Sequence, residues 1–291
     1  MNGVINIYKP EGLTSFDVVR QVRKICGTSK VGHTGTLDPL ASGVLPICIG
    51  KGTKLVDYIM EGRKTYKAEL KLGQVTDTYD REGKVIRENS YEHISKEVIE
   101  NVINSFQKEY SQIPPMYSAI KINGKKLYDL ARQGIEVERK GRNVVIYKVE
   151  ILNINKPFVE FRVLCSKGTY IRSLCYDIGE TLGCGAYMTK LEREATGTFN
   201  IENSINIEDL NRDKLEASLI SLEDSLGDYP YIKVSEKFEK LLINGVTIMD
   251  KSFYKEKIEE NKLYRVHGSN DELIGLGKKL ENGFKIIKLL L

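Results

Sequence analysis

The sequence predicts an α+β fold in which a mixed sheet carries packed helices, followed by a small β-rich module. Before residue 200, strand-like and helix-like segments alternate, and several neighbouring strand signals are separated only by short turns, as in hairpins. From Tyr231 onward the chain shows short strand signals and glycine turns. These follow an acidic stretch, 201–229, with eight Asp or Glu and two Lys or Arg. We therefore predict two domains, 1–229 and 230–291.

The first elements follow from apolar periodicity and capping signals. GVINIYKP alternates like a strand. TSFDVVRQVRKICG then predicts a helix, with Thr14 and Asp17 at capping-box spacing and Gly27 after the last turn. VLPICIG predicts a short buried strand and TKLVDYIM a helical segment. TYKAELKLG, DREG and KVIRE together predict a strand, a turn and a second strand.

Helix and strand signals also alternate in the middle of the chain. SKEVIENVINSFQKEY predicts an amphipathic helix whose apolar side consists of Val98, Ile99, Val102, Ile103 and Phe106. Two strand-like runs follow later, NVVIYKVEILNI and FVEFRVLCS. GTYIRSLCYDIGETLG then predicts a helix with Gly168 and Thr169 at its entrance, a position that favours anions such as phosphate.

Composition restricts the classes of function. The chain has 44 Lys and Arg against 40 Asp and Glu, so its net charge of +4 permits a polyanionic partner without demanding one. No basic region precedes an apolar run at the N-terminus, and no window approaches 18 uncharged apolar residues. We therefore expect neither a signal peptide nor a membrane span. The five cysteines contain no C-x-x-C pair, which favours reduced thiols in a cytosolic protein.

The segment 111–150 differs in character from the rest of the chain. It holds eight Lys or Arg against four Asp or Glu, interspersed with Tyr117, Tyr128 and Tyr147. A mixed cationic and aromatic surface suits an RNA backbone and splayed bases. The same composition fits a solvated surface loop and hairpin, and composition alone favours that interpretation.

The stretch GHTGTLDPLASGVLP, residues 32–46, combines small residues with one histidine and one carboxylate. Asp38 before Pro39 suits a turn or the start of a helix, and His33 suits a hydrogen-bonded loop position. Alternatively, the glycines would let a large ligand approach the backbone, and Asp38 could serve as a nucleophile or general base. Three scattered histidines argue against a catalytic metal.

These segments resemble, in order and spacing, the TruB-type tRNA pseudouridine synthases, which convert uridine-55 in the T-loop of tRNA to pseudouridine. The stretch 32–46 resembles the catalytic loop of that family. The similarity runs from residue 4 to about 200 and includes YKPEGLTS, KTYKAELKLG, QIPPMYSAIKINGKKLYDLARQG, CSKGTYIRSL and MTKLERE. The resemblance implies a pseudouridine synthase fold with a mostly antiparallel sheet and an RNA-gripping insertion at about 111–150. Residues 230–291 more loosely resemble a PUA-like RNA-binding domain.

The resemblance also implies the roles of the site residues. Asp38 corresponds to the catalytic nucleophile, which must be ionised, and Arg172 is its expected cationic neighbour. Tyr66 would stack on the flipped-out uridine or handle its C5 proton, and His33 would fill the space that the base vacates. Without the resemblance, Tyr66 would be interpreted as core packing and Arg172 as a surface ion pair. The other predicted substrate-binding residues are Lys9, Lys54, Tyr170 and Leu191.

The reaction implied by the resemblance detaches uracil from C1′, turns it and rejoins it through C5. It adds nothing and involves no redox change, so we expect no cofactor and no metal. The expected partner is the T-arm stem-loop of tRNA. No membrane and no protein partner are expected, and the protein would act as a cytoplasmic monomer. The sequence leaves open whether Asp38 attacks C1′, attacks C6 or assists an elimination.

Two other functions remain open on the same scaffold. One is a non-catalytic protein that binds or folds tRNA, although a pure binder would not need Asp38, Tyr66 and Arg172. The other is a guide-RNA-dependent relative. Such a relative would need protein partners and would usually carry extra basic tails, which are not evident in this sequence.

Overall fold

The computed structural model describes residues 1–118, 120–122, 124–253 and 258–291. Ala119 and Asn123 of the predicted RNA-gripping insertion lie outside the described residues, as do residues 254–257 of the predicted C-terminal domain. The side chains of Lys126 and Lys251 are also outside this description.

Short helices alternate with strands along the described chain. The helices are α1 (Ser15–Cys26), α2 (Val56–Met60), α3 (Lys96–Ser105), α4 (Leu127–Arg132), α5 (Ile171–Thr181), α6 (Arg212–Ala217) and α7 (Glu236–Ile243). The strands are β1 (Gly3–Lys9), β2 (Val31–His33), β3 (Ser42–Ile49), β4 (Lys64–Leu72), β5 (Gln74–Thr76), β6 (Val85–Glu88), β7 (Glu109–Gln112), β8 (Lys121–Ile122), β9 (Lys125–Lys126), β10 (Arg142–Asn155), β11 (Phe158–Cys165), β12 (Ala186–Thr196), β13 (Phe199–Asn200), β14 (Ile205–Asn206), β15 (Tyr231–Lys233), β16 (Leu263–His267), β17 (Leu273–Leu280) and β18 (Gly283–Leu289). None of the described helices has the length and apolarity needed to cross a bilayer.

The larger sheet contains ten of the described strands and is mixed but mostly antiparallel. Its order is β14-β1-β3-β12-β4-β11-β10-β7, with β2 paired to β3 and β13 paired to β12. Only β1–β14 and β3–β12 are parallel pairs among these described strands. The α+β class with a mostly antiparallel sheet is therefore confirmed.

Helix α1 forms where the capping signals predicted it. The Thr14 hydroxyl accepts from the Asp17 N–H at 3.0 Å, and the Asp17 carboxylate accepts from the Thr14 N–H at 2.9 Å. This reciprocal pair satisfies two N–H groups that a helix start leaves without partners. Gly27 ends the helix with φ of +68°, a left-handed conformation that favours glycine.

Two details differ from the sequence-based expectations. Val98 is 47% exposed, whereas Ile99 and Ile103 are buried. Ile99 and Ile103 are four positions apart and therefore share one face of α3. Val98 lies at the edge of that buried face and not within it. The DREG turn joins β5 to β6, not β4 to β6. The chain changes direction at Gly73, whose φ of +90° separates β4 from β5.

The C-terminal β-rich region forms a second sheet in the order β15-β16-β17-β18. Its own core includes Val266 and Phe284. Leu276 and Leu290 instead belong to a second apolar cluster, which includes residues of the larger sheet and its connections. The other buried members of this cluster are Val4, Val44, Cys48, Leu55, Ile59, Phe199 and Leu226. The two sheets are therefore joined by a common apolar interface.

We expect Leu276→Ala to destabilise both sheets, because Leu276 is fully buried in the shared cluster. A buried Leu→Ala substitution costs about 2–5 kcal/mol of the free energy of unfolding. Hydrogen exchange read by mass spectrometry should show faster exchange in peptides from β1 and β3 as well as from β17. Leu241→Ala, at an exposed position of α7, is the control. Faster exchange confined to the C-terminal sheet would contradict the shared interface.

Candidate active site

A cleft of about 990 Å³ opens above the central strands β4 and β12 of the larger sheet. The connection between β2 and β3 forms one wall, and residues from the 117–144 segment form another. Five of the eight predicted site residues line this cleft: Asp38, Tyr66, Tyr170, Arg172 and Leu191. Lys9, His33 and Lys54 do not line it.

The loop that carries Asp38 is held from below by the start of α1. The Ser15 hydroxyl accepts from the Leu37 N–H at 2.8 Å and donates to the Leu37 carbonyl at 3.1 Å. The Ala41 N–H donates to the Asp38 carbonyl at 3.0 Å, which closes a turn. Asp-Pro thus forms a turn here and does not start a helix. Buried Leu37 and Leu40 anchor the turn, while the Asp38 side chain remains 36% exposed in the cleft.

Arg172 lies between two carboxylates. Its Nη2 is 3.0 Å from Asp38 Oδ2, and its Nη1 is 3.4 Å from Asp80 Oδ2. Nη2 also donates to the Tyr117 carbonyl at 2.7 Å. Arg172 and Asp80 are both buried, whereas Asp38 reaches the cleft. The geometry therefore presents one accessible carboxylate, held in place by a buried cation.

Asp80 was not identified from the sequence, where it forms part of the DREG turn. Thr78 Oγ1 donates to Asp80 Oδ1 at 2.6 Å, and the Glu82 N–H donates to the same oxygen at 3.0 Å. Burial raises the pKa of Asp80, and the Thr78 hydrogen bond and the Arg172 charge oppose that rise. An aspartate in a turn carries no sequence signal that distinguishes a buried ion pair from an exposed turn residue.

Tyr66 lies on β4 at the floor of the cleft, opposite Arg193 of β12 in the sheet register. Burial raises the pKa of the Tyr66 phenol. The charge of Arg193 and a side-chain hydrogen bond from it oppose the rise. Arg193 was also missed from the sequence. Its position two residues after Leu191 on one strand places both side chains on the same face, a signal that could have indicated it.

Tyr170 and Leu191 form two sides of the cleft. Tyr170 is the residue before α5, and its backbone is clamped by Gln112. The Tyr170 N–H donates to Gln112 Oε1 at 2.8 Å, and Gln112 Nε2 donates to the Tyr170 carbonyl at 3.1 Å. Burial raises the pKa of Tyr170. Leu191 lies opposite Ala68 in the sheet and packs against the main core.

Lys9 lies behind the loop that carries Asp38, not in the cleft. Its side chain is fully buried, and its ammonium donates to the Leu13 carbonyl at 2.7 Å. Burial lowers the pKa of Lys9 to about 8, and the charge of Asp38 opposes this change. The neighbouring Gly12 N–H donates to the Pro39 carbonyl at 2.8 Å. Lys9 therefore holds the segment on which the Asp38 loop rests.

His33 and Lys54 also lie outside the cleft. His33 is the last residue of β2, and burial together with the charge of Arg193 lowers its pKa. A neutral imidazole is thereby favoured. Lys54 is exposed, and its ammonium donates to the Leu289 carbonyl of β18 at 3.0 Å. Lys54 thus bridges the two sheets.

The rest of the cleft carries charges of both signs, with Asp57, Glu61 and Glu82 beside four cationic residues. Lys64, at the start of β4, is buried, and its ammonium donates to the carbonyls of Met60 and Gly62. Burial lowers the pKa of Lys64 to about 8. Other cationic residues that line the cleft are Arg132, Arg142 and Lys167. No group of three or more metal-ligating side chains occurs among the described residues. The cleft thus combines a carboxylate paired with a buried cation and a buried phenol, which suits covalent or acid–base chemistry.

Comparison with known protein families and solved structures places this fold among the pseudouridine synthases. A model of the TruB family pseudouridylate synthase N-terminal domain matches residues 23–171. A model of the tRNA pseudouridylate synthase B C-terminal domain matches residues 172–226. The chain therefore belongs to the TruB family of pseudouridylate synthases, and the resemblance read from the sequence is confirmed.

Several known proteins are similar to this chain over its whole length. The tRNA pseudouridine synthases B of Clostridium acetobutylicum and Clostridium tetani are each 59% identical over 290 residues, covering 100% of both chains. Among solved structures, a chain of a Cbf5-Nop10-Gar1 complex has a TM-score of 0.77 at 27% identity, covering 99% of this chain and 85% of that one. A chain of an H/ACA RNP bound to a substrate RNA containing 2′-deoxyuridine has a TM-score of 0.72 at 26% identity, with 99% and 85% coverage.

We expect Asp80→Asn to lower pseudouridine formation by about 10–100-fold without a comparable loss of tRNA affinity. The substitution removes one of the two charges that hold Arg172, so the cation can shift relative to Asp38, and small misplacements are costly to rate. Single-turnover rates and tRNA dissociation constants would be measured together. Asp77→Asn, in the same turn but not contacting Arg172, is the control and should retain its rate. An unchanged rate in Asp80→Asn would argue that Arg172 keeps its position without the charge of Asp80.

Proposed function

We propose that the protein isomerises uridine-55 in the T-loop of tRNA to pseudouridine. The C1′–N1 bond of the nucleotide breaks, the base turns, and C1′ bonds to C5. The C5 proton leaves and N1 gains a proton, so the product has the same atoms as the substrate. Asp38 and Arg172, 3.0 Å apart in the cleft of a TruB family chain, carry this proposal. The relatives named tRNA pseudouridine synthase B support the substrate class.

Asp38 is the proposed nucleophile. Of the two carboxylates that contact Arg172, Asp38 is the more exposed in the cleft, and the guanidinium lies 3.0 Å from it. The pairing also fixes the direction in which the carboxylate points, which reduces the entropy lost when it meets the substrate. Attack at C1′, attack at C6 and assistance to an elimination can all begin from this ionised carboxylate.

The target uridine must leave its stack before Asp38 can reach it. Unstacking costs about a few kcal/mol, and stacking on an aromatic side chain is worth roughly 1–3 kcal/mol. We propose that the flipped base contacts Tyr66 on the floor of the cleft and Tyr170 and Leu191 at its sides. The cleft volume of about 990 Å³ is sufficient for a nucleotide with its flanking phosphates.

The three residues outside the cleft take other proposed roles. His33 fills the space in the T-loop that the flipped base leaves, which requires bulk and not charge, in keeping with its lowered pKa. Lys9 supports the catalytic loop from behind. Lys54, exposed where the two sheets meet, contacts the tRNA backbone.

The RNA-gripping surface is proposed to be the segment 111–150 together with the C-terminal domain, 230–291. In the first segment, a small apolar cluster of Met116, Leu127 and Leu130 packs against Tyr117. Tyr117 and Tyr128 both line the cleft. The PUA-like domain would hold the tRNA body through phosphate contacts, which position RNA without reading its sequence. Because Leu276 and Leu290 are shared between the sheets, deleting this domain would also expose the base of the catalytic sheet.

A guide-RNA-dependent function is the second candidate, since the similar solved chains come from complexes titled with further proteins or as an RNP. The full-length relatives named tRNA pseudouridine synthase B are 59% identical to this chain, against 26–27% for the chains from those complexes, which favours the stand-alone enzyme. We propose that it acts as a monomer in the cytoplasm. The test is incubation of the purified protein alone with unmodified tRNA, followed by chemical mapping of pseudouridine. Product at position 55 is expected. Product that appears only with added guide RNA and proteins would favour the second candidate, and binding without product would favour a tRNA-binding or folding protein.

We expect Asp38→Asn and Asp38→Ala to abolish detectable product while tRNA affinity stays within about tenfold, or 1.4 kcal/mol. The substitutions remove the proposed nucleophile, whereas phosphate contacts supply most of the affinity. The measurements are single-turnover product formation and filter binding. Substantial turnover by either variant would contradict the nucleophile assignment.

His33→Phe and His33→Gln are expected to retain measurable activity, with a loss much smaller than that of the Asp38 variants. The imidazole lies outside the cleft and is proposed to act by its volume, which both replacements largely preserve. The kcat and KM of both variants on full-length tRNA would be compared with those of the unsubstituted protein. Variants as inactive as Asp38→Ala would instead require a chemical role for His33.

A further inference from the structure

Arg193 is a buried cation that has no carboxylate partner among the described residues. Only 1% of its surface is exposed, and no carboxylate oxygen of the described chain lies within 4.0 Å of its guanidinium. By contrast, Arg172 and Arg162 each pair with two carboxylates. Burying a charge costs several kcal/mol unless other groups compensate it. The compensation for Arg193 must therefore come from neutral acceptors.

Those acceptors lie at the two ends of the segment that carries Asp38. Arg193 Nε donates to the Val44 carbonyl at 2.7 Å, and Nη2 donates to the Gly35 carbonyl at 3.2 Å. Asp38 lies between these two residues in the chain. A guanidinium has donors that point in different directions from one rigid plane, so it can hold both carbonyls at once, which an ammonium at the end of a flexible stem cannot do equally well.

The strand register explains why one side chain reaches both ends of the loop. Arg193 on β12 is paired with Gly43 of β3 on one side and with Tyr66 of β4 on the other. The approach to β3 is so close that a Cβ on Gly43 would lie 2.3 Å from the Arg193 carbonyl oxygen. Gly43 also has φ of +109°, a conformation that favours glycine. This close backbone approach brings the β3 end of the Asp38 loop next to residue 193.

On its other side, Arg193 lies opposite Tyr66 in the register of β12 and β4, and its charge opposes the rise in the pKa of the phenol. One guanidinium therefore holds both ends of the Asp38 loop and lies on the strand next to the phenol at the floor of the cleft. We propose that Arg193 is a positioning residue that fixes the Asp38 carboxylate relative to the Tyr66 hydroxyl. This proposal rests on the proposed function, in which these two groups face the flipped uridine.

A purely structural role for Arg193 makes a different prediction. If the residue only stabilises the sheet, its replacement lowers the folded fraction and leaves the rate per folded molecule unchanged. If it positions Asp38 and Tyr66, the rate per folded molecule falls while tRNA binding persists. Misplacement of reacting groups by about 1 Å can cost on the order of 10²-fold in rate.

The test compares Arg193→Lys and Arg193→Gln with the unsubstituted protein. Single-turnover rates at saturating enzyme are normalised to the folded fraction from circular-dichroism melts, and tRNA affinity is measured separately. We expect Arg193→Lys to lose about 10²-fold in rate with affinity within about threefold. The control is Arg162→Gln, on β11, which β4 separates from β12; Arg162 does not line the cleft, so the rate should be retained.

Coupling to Tyr66 is read from a double-mutant cycle. Arg193→Lys should cost less in a Tyr66→Phe background than in the unsubstituted protein, because part of what Arg193 positions is already absent. Hydrogen exchange of the unliganded protein provides a readout that needs no activity. Arg193→Lys should increase exchange in peptides covering residues 35–44, and Arg162→Gln should not.

Normalised rates within about threefold of the unsubstituted protein for both folded variants would overturn the proposal. Weaker tRNA binding with an unchanged rate at saturating enzyme would also overturn the proposal. Failure of both variants to fold would overturn it too, because Arg193 would then support the fold and not the site. If the unsubstituted protein forms no pseudouridine, the proposed function fails. The exchange of residues 35–44 then still decides whether Arg193 holds the loop.

Discussion

The buried guanidinium of Arg172 connects parts of the chain that lie far apart in sequence. It extends from the first turn of α5 and contacts Asp38 in the β2–β3 loop, Asp80 in the β5–β6 turn and the Tyr117 carbonyl. A cation removed from water is costly unless its donors are satisfied, so each of these segments is constrained to the position that satisfies them. The need to satisfy the donors of Arg172 therefore holds these segments together at one side of the cleft.

The loop that carries Asp38 is restrained from two directions by different kinds of contact. Arg172 contacts the carboxylate of Asp38 itself, whereas Arg193 contacts backbone carbonyls at the two ends of the loop. Restraining only the side chain would leave the backbone free to move with it, and restraining only the backbone would leave several rotamers available. Together, the two contacts fix both the position and the direction of the carboxylate.

The sequence allowed α1, the mixed sheet and the family to be predicted, because capping spacing, strand alternation and ordered motifs are local properties. It did not reveal Asp80 and Arg193, since their importance depends on burial and on pairing with residues that are distant in the chain. The motif residue Lys9 was assigned to the substrate, yet its side chain is fully buried behind the loop. A motif indicates which residues belong to a site, whereas only packing shows which of them face the cleft.

The C-terminal sheet packs against the end of the Asp38 loop, in addition to its proposed contact with RNA. Val44 connects the C-terminal sheet to the Asp38 loop. Its side chain packs in the cluster that contains Leu276 and Leu290, while its carbonyl accepts the hydrogen bond from Arg193. Loosening the interface between the sheets would therefore release one end of the Asp38 loop. The composition of the sequence changes near residue 229. Apolar residues from before and after that position nevertheless pack in one cluster, so the position of the Asp38 loop depends on both parts of the chain.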